Sequence, residues 1–289
     1  MARQRRQAAT FKMKNWPAPA KLNLFLHVVG RRGDGYHELQ TLFQLLDFAD
    51  VLRFEVRNDG VIRREGGAGL PECDLTVRAA RKLQQFGGTD LGVDIKLEKR
   101  IPVGSGLGGG SSDAATVLMA LNRLWEVHAS VNALAQMGLE LGADVPVFIH
   151  GHSAWGEGVG EKVTPAVLSE RIYCVVIPQV LVSTAAIFND SELTRNTPRI
   201  RIPTLFEGDL NNDLEPVTCR LYPEVGEALS WLRQFGKARM TGSGCGLYVA
   251  VSDRQSGEEI LEQAPAGISG FVAAGINQHP LRTTEPVGV

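Results

Sequence analysis

Pro102-Val-Gly-Ser-Gly-Leu-Gly-Gly-Gly-Ser-Ser-Asp113 is the most informative run in this chain of 289 residues, and it leads directly into a stretch with helical periodicity. Glycines lack a Cβ atom, so the backbone N–H groups of such a run can approach an anion closely. The helix that follows adds unpaired amides and the positive end of its dipole. The run is therefore typical of a loop that holds a polyphosphate.

Two better-known phosphate-binding patterns describe this run less well. Gly104, Gly106 and Gly109 satisfy the G-x-G-x-x-G spacing of dinucleotide-binding folds, but those folds need a strand that runs straight into the first glycine. Here Pro102 intervenes, and a helical pattern stands where an acidic strand end is required. The Walker pattern is absent because no Gly-Lys-Ser/Thr occurs. An alternative is that this loop is rich in glycine only because its backbone packs closely against other segments.

The segments next to the run predict a strand before it and a helix after it. Residues 93–97 alternate between apolar and polar side chains, which indicates a half-buried strand. The helix extends to about residue 125. Its predicted buried face consists of Ala114, Val117, Leu118, Leu121 and Trp125.

Further out, strands are predicted over residues 22–29, 51–56, 172–177 and 247–251. Helices are predicted over residues 130–141 and 224–235. Because strands and helices mix without strict β-α-β alternation, the pattern favours an α+β fold over a doubly wound sheet.

Some local signals mark where elements begin and end. Asp74 is a candidate cap for a helix with the apolar stripe Leu75, Ala79, Leu83 and Phe86. Ser256 with Glu259 predicts a capping box before a last helix. The three glycines within residues 156–160 predict a turn or a domain joint.

The composition is that of a globular protein. Hydrophobic residues make up 44% and charged residues 21%, with a net charge of -2, which argues against disorder, collagen or a coiled coil. This small charge gives no electrostatic reason to bind nucleic acid, and no apolar run is long enough to cross a bilayer. We therefore expect no nucleic-acid partner and no membrane association, while the sequence does not specify an oligomeric state.

The cysteines and the N-terminal segment indicate the cellular compartment in which the protein is expected. Cys73, Cys174, Cys219 and Cys245 are scattered without a Cys-x-x-Cys pair, which favours reduced thiols in a cytoplasm over a disulfide framework or a zinc cluster. The first 14 residues are basic and contain no acid. For this segment a disordered tail is favoured over a transit peptide.

Three other segments gain meaning in combination with the glycine run. Lys21 lies in Pro19-Ala-Lys-Leu-Asn-Leu24, Asp144 follows a predicted helix end, and a second glycine run covers Thr241-Gly-Ser-Gly-Cys-Gly246. Taken singly, Lys21 is typical of a surface residue at a strand end, and Asp144 is typical of a cap or turn residue. Taken together, the run over residues 19–24, the first glycine run and the second glycine run resemble the three motifs of the GHMP kinases. That family includes galactose, homoserine and mevalonate kinases.

That resemblance, which covers residues 16–280, implies a fold and an activity. It implies a two-domain α+β kinase, with an N-terminal ATP-binding domain over residues 12–160 and a C-terminal substrate-binding domain over residues 161–289. Gly30-Arg-Arg-Gly-Asp-Gly-Tyr-His-Glu-Leu39 and Gly142-Ala-Asp-Val-Pro-Val-Phe148 are similar to the members whose acceptor is a cytidine diphosphate-linked polyol. In those members the γ-phosphoryl group of ATP moves to the 2-hydroxyl, a step in non-mevalonate synthesis of isoprenoid precursors.

The resemblance also assigns roles to individual residues. Lys21 and Asp144 would be catalytic, with Asp144 taking or orienting the hydroxyl proton and Lys21 offsetting charge on the transferring group. Five residues would bind the acceptor, two of them, Tyr36 and His37, by stacking on cytosine and hydrogen bonding to its edge. The five are Asn23, Tyr36, His37, Thr184 and Phe188.

On the ATP side, Lys99 would contact phosphate or adenine. The phosphates would lie against Pro102, Gly104, Gly106, Leu107, Gly108, Gly109, Gly110, Ser111 and Ser112. Mg²⁺ would bridge the phosphates with Ser112 as its nearest protein neighbour, and no protein residue is assigned as a metal ligand.

Some positions depart from the pattern or have no role in it. Asp74 and Asp113 stand where such kinases commonly have asparagine, so Asp74 either caps its helix or contacts the nucleotide. Asn211-Asn-Asp-Leu-Glu215 and Arg239 match the kinases without a chemical role, and His150 with His152 is interpreted as a solvated turn.

Two other functions are compatible with parts of this pattern. One is a GHMP kinase for a sugar or a mevalonate-type acid, which would need a basic clamp or a hydroxyl-reading cluster in place of Tyr36-His37. The other is a non-catalytic ATP-binding regulator, which we would expect to lack the Lys/Asp pair. Because Lys21 and Asp144 are both present, the kinase is favoured.

Overall fold

The computed structural model describes residues 15–201 and 211–282. It has an α+β fold, as expected. The strands are β1 Trp16–Arg31, β2 His37–Arg57, β3 Ile62–Gly66, β4 Gly92–Glu98, β5 Ala154–Gly158, β6 Lys162–Pro165, β7 Ile172–Pro178, β8 Arg239–Met240, β9 Leu247–Val251 and β10 Ile268–Ile276. The helices are α1 Leu75–Gly87, α2 Gly109–Leu124, α3 Val131–Leu139, α4 Val145–His150, α5 Thr184–Asn189, α6 Glu215–Leu221, α7 Pro223–Leu232 and α8 Arg254–Glu262.

The long strand β2 joins the two halves of the sheet. It pairs antiparallel with β1, β4, β5 and β10. The strand order runs β3-β4-β2-β10-β7-β9-β8, so β10 carries the sheet from the N-terminal half into the C-terminal half. Only β3 and β4 pair in parallel among the described strands. Strand β2 therefore pairs with strands of both halves.

Strand β1 contributes to two hydrophobic cores. Trp16 and Ala18 belong to the core between the first half of the sheet and α1 to α4. Leu22 and Val28 belong to the core between β7, β9 and the C-terminal helices. Helix α2 is central to the first core and ends next to Trp125, and its predicted buried face is confirmed.

Both β1 and β2 are longer than the strands predicted over 22–29 and 51–56. The pairing of β1 with β2 shifts register between Pro19 and Lys21, between Asn23 and Leu26, and between Val28 and Gly30. Each shift breaks the two-residue alternation of side chains, which removes the signal by which a strand is recognised in sequence.

Helix α1 begins as predicted, with Ala79 and Leu83 of its apolar stripe buried and Leu75 partly buried against the core. Asp74 caps it by accepting hydrogen bonds from the amides of Thr76 and Val77. The prediction that Phe86 is a core residue is wrong, because its side chain is 56% exposed. The last turn of α1 packs through Gly87 against Val127, which leaves Phe86 on the solvent side.

Two other boundary predictions are resolved by the structure. The capping box at Ser256 is wrong, because Asp253 caps α8 and accepts from both the amide and the hydroxyl of Ser256. The glycines of residues 156–160 belong to β5 and to the turn that joins it to β6, which pairs with it. The domain bounds of 12–160 and 161–289 stay a prediction.

Among the helices in the described parts of the chain, none combines the length and apolarity that a membrane crossing requires.

Candidate functional site

The glycine loop enters α2 through three residues in left-handed backbone conformation. Gly104, Gly106 and Gly108 have φ angles of 76°, 78° and 74°, which side chains with a Cβ rarely adopt. Gly108 stands at the N-cap of α2, and the helix begins at Gly109. The first-turn amides of α2 have no intrahelical partner, so this end of the helix is suited to an anion.

Lys21 and Asp144 meet beside this loop. The ammonium of Lys21 lies 3.2 Å from the Asp144 carboxylate and donates to the carbonyl of Gly106 at 2.9 Å. Lys21 is only 2% exposed, whereas Asp144 is 32% exposed. The lysine is thus held by protein on most sides, while its carboxylate partner is open to a ligand.

The local structure explains why the side chains of Lys21 and Asp144 can meet beside the glycine loop. The backbone amide of Lys21 donates to the Leu107 carbonyl, which ties β1 to the glycine loop. Asp144 precedes α4 and makes no side-chain capping hydrogen bond. Asp144 is thus a turn residue, one of the two roles that its sequence context predicted, and its carboxylate pairs with Lys21 instead of capping α4.

A chain of hydrogen bonds supports Lys21 from the sheet side. Its ammonium donates to Asn23 Oδ1 at 2.5 Å, and Asn23 Nδ2 donates to Thr41 Oγ1 at 2.8 Å. The Thr41 hydroxyl donates to the carbonyl of Phe25. Because an ammonium has only donors, this arrangement fixes the orientation of the Asn23 amide.

Two cavities open on opposite sides of the glycine loop. The one that we call the Lys21 cavity has a volume of about 530 Å³ and contains Lys21 and Asp144 in its wall. The five predicted acceptor-binding residues all line it: Asn23, Tyr36, His37, Thr184 and Phe188.

The second, the Lys99 cavity, has a volume of about 430 Å³. All but one of the predicted ATP-binding residues line it: Lys99, Pro102, Gly104, Gly106, Leu107, Gly108, Gly109, Gly110 and Ser111. Gly106, Gly108 and Ser111 line both cavities, so the loop is a shared wall between them.

Ser112 is the exception. Its side chain is fully buried in α2 and lines neither cavity, and its hydroxyl has no hydrogen-bond partner in the described structure. The neighbouring Ser111 lines both cavities. The expectation that Ser112 is the protein neighbour of a metal ion is therefore not supported by its position.

Lys99 is held in a closed ion-pair cluster. Its ammonium contacts Asp50 and lies 2.8 Å from Asp113, and both carboxylates are almost completely buried. Burial acts to lower the pKa of Lys99, but the charges of Asp113 and Asp50 outweigh it and raise the pKa. Burial also raises the pKa of Asp113 to about 7, against the opposing effect of Lys99. Sequence reasoning missed Asp50, because nothing local distinguishes it.

The residues predicted to contact cytosine lie together in the wall of the Lys21 cavity. The rings of His37 and Phe188 lie 5.0 Å apart between centroids, and Tyr36 is 65% exposed. Thr184 shares a hydrogen bond of 2.7 Å with Ser243 of the second glycine run. The structure thus brings β2, α5 and the second run together around one pocket.

The second glycine run supports the first by close packing. A Cβ atom on Gly244 would lie 2.3 Å from the amide of Gly106, and one on Gly246 would lie 2.4 Å from the carbonyl of Ser105. The two loops therefore touch backbone to backbone, so the second run is rich in glycine because of packing.

The segment around Asn211–Glu215 acquires a structural role. The Asn212 amide donates to the carbonyls of Met240 and Gly242, and Asp213 accepts from the amide of Val28. These bonds fasten β1 to the second glycine run. Arg239 lies close by, donating to the Leu24 carbonyl at 3.5 Å.

Comparison with known proteins gives one consistent family. The model of the GHMP kinases N terminal domain matches residues 74–152, and that of the GHMP kinases C terminal region matches residues 200–269. A 4-diphosphocytidyl-2-C-methyl-D-erythritol kinase from Thiobacillus denitrificans is 55% identical over 268 residues, covering 92% of this chain and 96% of that protein. One from Nitrosospira multiformis is 54% identical over 270 residues, covering 92% of each.

Solved structures show the same relationship. The crystal structure of a 4-(cytidine 5'-diphospho)-2C-methyl-D-erythritol kinase superposes with a TM-score of 0.80 at 34% identity, covering 91% of this chain and all of that one. The mevalonate kinase of Methanococcus jannaschii superposes with a TM-score of 0.69 at 13% identity, covering 93% of this chain and 100% of that one, which indicates a shared fold alone.

Proposed function

Because the chain belongs to the GHMP kinases and, within them, to the family of 4-diphosphocytidyl-2-C-methyl-D-erythritol kinases, we propose that it uses ATP to phosphorylate the 2-hydroxyl of 4-diphosphocytidyl-2-C-methyl-D-erythritol. The reaction belongs to non-mevalonate isoprenoid precursor synthesis. We further propose that it takes place in the cytoplasm, in agreement with the four free cysteines.

The observation that carries this proposal is the position of the Lys21–Asp144 pair. It lies in the wall of one cavity, beside a glycine loop that also lines the second cavity. A kinase must bring an acceptor hydroxyl and a polyphosphate to one point from two sites, and alignment of this kind supplies much of the rate. We therefore assign the acceptor to the Lys21 cavity and ATP to the Lys99 cavity.

In the transfer step, the acceptor hydroxyl oxygen forms a bond to the γ-phosphorus, and the bond from that phosphorus to the bridging oxygen of ADP breaks. Asp144 accepts the hydrogen bond of the hydroxyl, orients it and takes its proton late in the step. The Lys21 ammonium, supported by Asn23 and Gly106, stabilises the charge on the transferring group.

The nucleotide phosphates lie against the backbone amides of the loop and the first turn of α2. Lys99 lines the same cavity, but its ammonium is already paired with two carboxylates. We therefore propose that Lys99 contributes chiefly by holding the loop and the start of α2 in place.

Mg²⁺ fits this site as an ion bound mainly by phosphate. No cluster of three metal-binding side chains occurs among residues 15–201 and 211–282, and Mg²⁺ commonly takes only one or two protein oxygens beside substrate phosphates and water. The Ser111 hydroxyl and the Asp144 carboxylate, both at a cavity wall, are the oxygens suited to it. When bound, the ion would neutralise phosphate charge.

An ADP-release assay tests the proposed function. The purified chain is given MgATP with the cytidine-linked acceptor, with methylerythritol that lacks the nucleotide, or with mevalonate. We expect turnover only with the cytidine-linked compound, and mass spectrometry should find one added phosphoryl group. Equal turnover of an acceptor without the nucleotide would instead support a different member of the superfamily.

A further inference from the structure

Arg195 makes an unusually complete set of hydrogen bonds beside the Lys21 cavity. Its Nε donates to Nε2 of His37 at 3.0 Å. Its two terminal nitrogens donate to the carbonyls of Leu193, Phe188 and Asp190, at 3.0, 2.9 and 2.6 Å. One guanidinium thus joins the imidazole of β2 to the backbone at the end of α5, and no local sequence signal distinguishes this arginine from the others.

These contacts restrict the chemistry of His37. A guanidinium has only donors and does not lose its proton in a protein, so Nε2 must be the acceptor. In a neutral imidazole the proton is then on Nδ1. Burial, followed by the charges of Arg195 and Arg31, lowers the pKa of His37 below its usual value, which keeps the ring neutral at pH 7.

The other ring nitrogen is left for a ligand. His37 lines the Lys21 cavity. Within the described parts of the chain, Nδ1 has no hydrogen-bond partner. The imidazole therefore keeps one N–H donor without a protein partner beside the cavity, and Phe188, whose carbonyl Arg195 also binds, supplies the neighbouring ring at 5.0 Å.

Resting on the proposed function, we propose that Arg195 is the residue that makes the acceptor site selective for cytosine over uracil, by fixing His37 as a donor at Nδ1. Cytosine has an acceptor at ring position 3, whereas uracil has an N–H there. A free neutral histidine can read either base by moving its proton from one nitrogen to the other. Arg195 prevents that move, because a proton on Nε2 would face its own N–H.

Arg195 is accordingly a positioning residue that acts through His37. A site with a fixed donor rejects a ligand that presents another donor, because the two groups cannot pair and both lose water. The preference would therefore depend on Arg195 even though Arg195 does not touch the base.

The first test observes the tautomer directly in the wild-type protein. ¹⁵N NMR of histidine-labelled protein at pH 7 distinguishes a protonated from an unprotonated ring nitrogen. We expect His37 to carry its proton on Nδ1, and we expect Arg195→Met to move part of the population to the Nε2–H form. A wild-type His37 with its proton on Nε2, or a charged ring, would overturn the inference.

The second test measures binding of CDP and UDP by calorimetry, so it does not depend on turnover. We expect the wild type to prefer CDP at least tenfold, and Arg195→Met to reduce that ratio about tenfold. Arg199→Met is the matched control, because Arg199 lies on the same segment but pairs with Glu38 and Glu157. It should keep the wild-type ratio.

The outcomes separate this inference from the proposed function. Equal binding of CDP and UDP by the wild type, or an unchanged ratio in folded Arg195→Met, would contradict the role of Arg195. A protein that prefers CDP through the Nδ1–H tautomer but does not phosphorylate the cytidine-linked acceptor would uphold the inference and refute the kinase activity.

Discussion

Two lysines, the buried Lys21 and the mostly buried Lys99, lie beside the same glycine loop and have different environments. Lys21 pairs with one carboxylate, that of Asp144, which is about one-third exposed. Lys99 pairs with Asp50 and Asp113, which are both sealed in protein. A lysine whose carboxylate partner stays accessible can act on a ligand, whereas a lysine enclosed by two carboxylates has its charge already balanced.

The packing around Lys99 supports this distinction. A Cβ atom on Gly109 would lie 2.9 Å from the Lys99 ammonium, so the lysine packs directly under the first turn of α2. Asp50 also accepts from the backbone amides of Arg100 and Ile101, which places the cluster at the base of the loop. This packing supports the proposal that Lys99 holds the glycine loop in place, while Lys21 takes part in the phosphoryl transfer.

The largest effect should come from the Lys21 side. We expect Lys21→Met to lower kcat by about 10²–10⁴-fold, because charge stabilisation and orientation at the reacting group are lost. KM should change much less, and the melting temperature should stay close to that of the wild type, since Asp144 can be hydrated. Steady-state kinetics measures kcat and KM, and circular dichroism measures the melting temperature. Nearly full turnover by Lys21→Met would contradict a catalytic role for Lys21.

Lys99→Met should instead act on stability. We expect the free energy of unfolding to fall by roughly 3–5 kcal/mol, because buried carboxylates lose their counter-charge. Urea unfolding measures this change. Lys82→Met is the matched control: Lys82 pairs with Glu140 at the surface, so its loss should cost under about 1 kcal/mol. A folded Lys99→Met of unchanged stability that has lost kcat would mean that both lysines serve the chemistry.

The pH dependence of Asp113 sharpens the comparison further. An acid with a raised pKa binds its proton more tightly in the folded protein, so it contributes stability at low pH that is lost as pH rises. For Asp113 the loss should extend from its ordinary pKa of about 4 up to about 7. The stability advantage of wild type over Asp113→Asn should therefore shrink between about pH 4 and about pH 7, by up to about 1.4 kcal/mol per pH unit, and level off above that.

Urea unfolding of both proteins across this range measures the slope. A difference in stability that does not vary with pH would show that Asp113 is ionised throughout.

The smallest effect on stability concerns the two aspartates that precede helices. Asp74 caps α1 and lies 3.5 Å from the buried Arg64 guanidinium, so Asp74→Ala should lower the free energy of unfolding by about 1–3 kcal/mol. Asp144 makes no capping bond, so Asp144→Asn, which keeps an oxygen acceptor for the buried Lys21 ammonium, should change stability less while it abolishes most turnover. Thermal unfolding of the two variants side by side measures this contrast, and equal losses of stability would contradict it.

Local chemistry accounts for the elements that could be predicted. The glycine loop, the cap at Asp74 and the buried face of α2 depend on residues within a few positions of one another, so the sequence shows them. The predictions fail where a competing neighbour takes over, as Asp253 does for the Ser256 cap, or where register shifts disturb alternation, as in β1.

By itself, the sequence determined that an anion-binding loop enters a helix and, through resemblance to a kinase family, that Lys21 and Asp144 belong with it. Only the tertiary structure decided which charges meet: Lys99 with Asp50 and Asp113, and Arg195 with His37. The energy of such a contact depends on distance and burial and not on separation along the chain. Many other arginines and aspartates have similar neighbours in the sequence. Which of them form these contacts depends on the pairing of β1 with β2 and on the packing of α2 and α5.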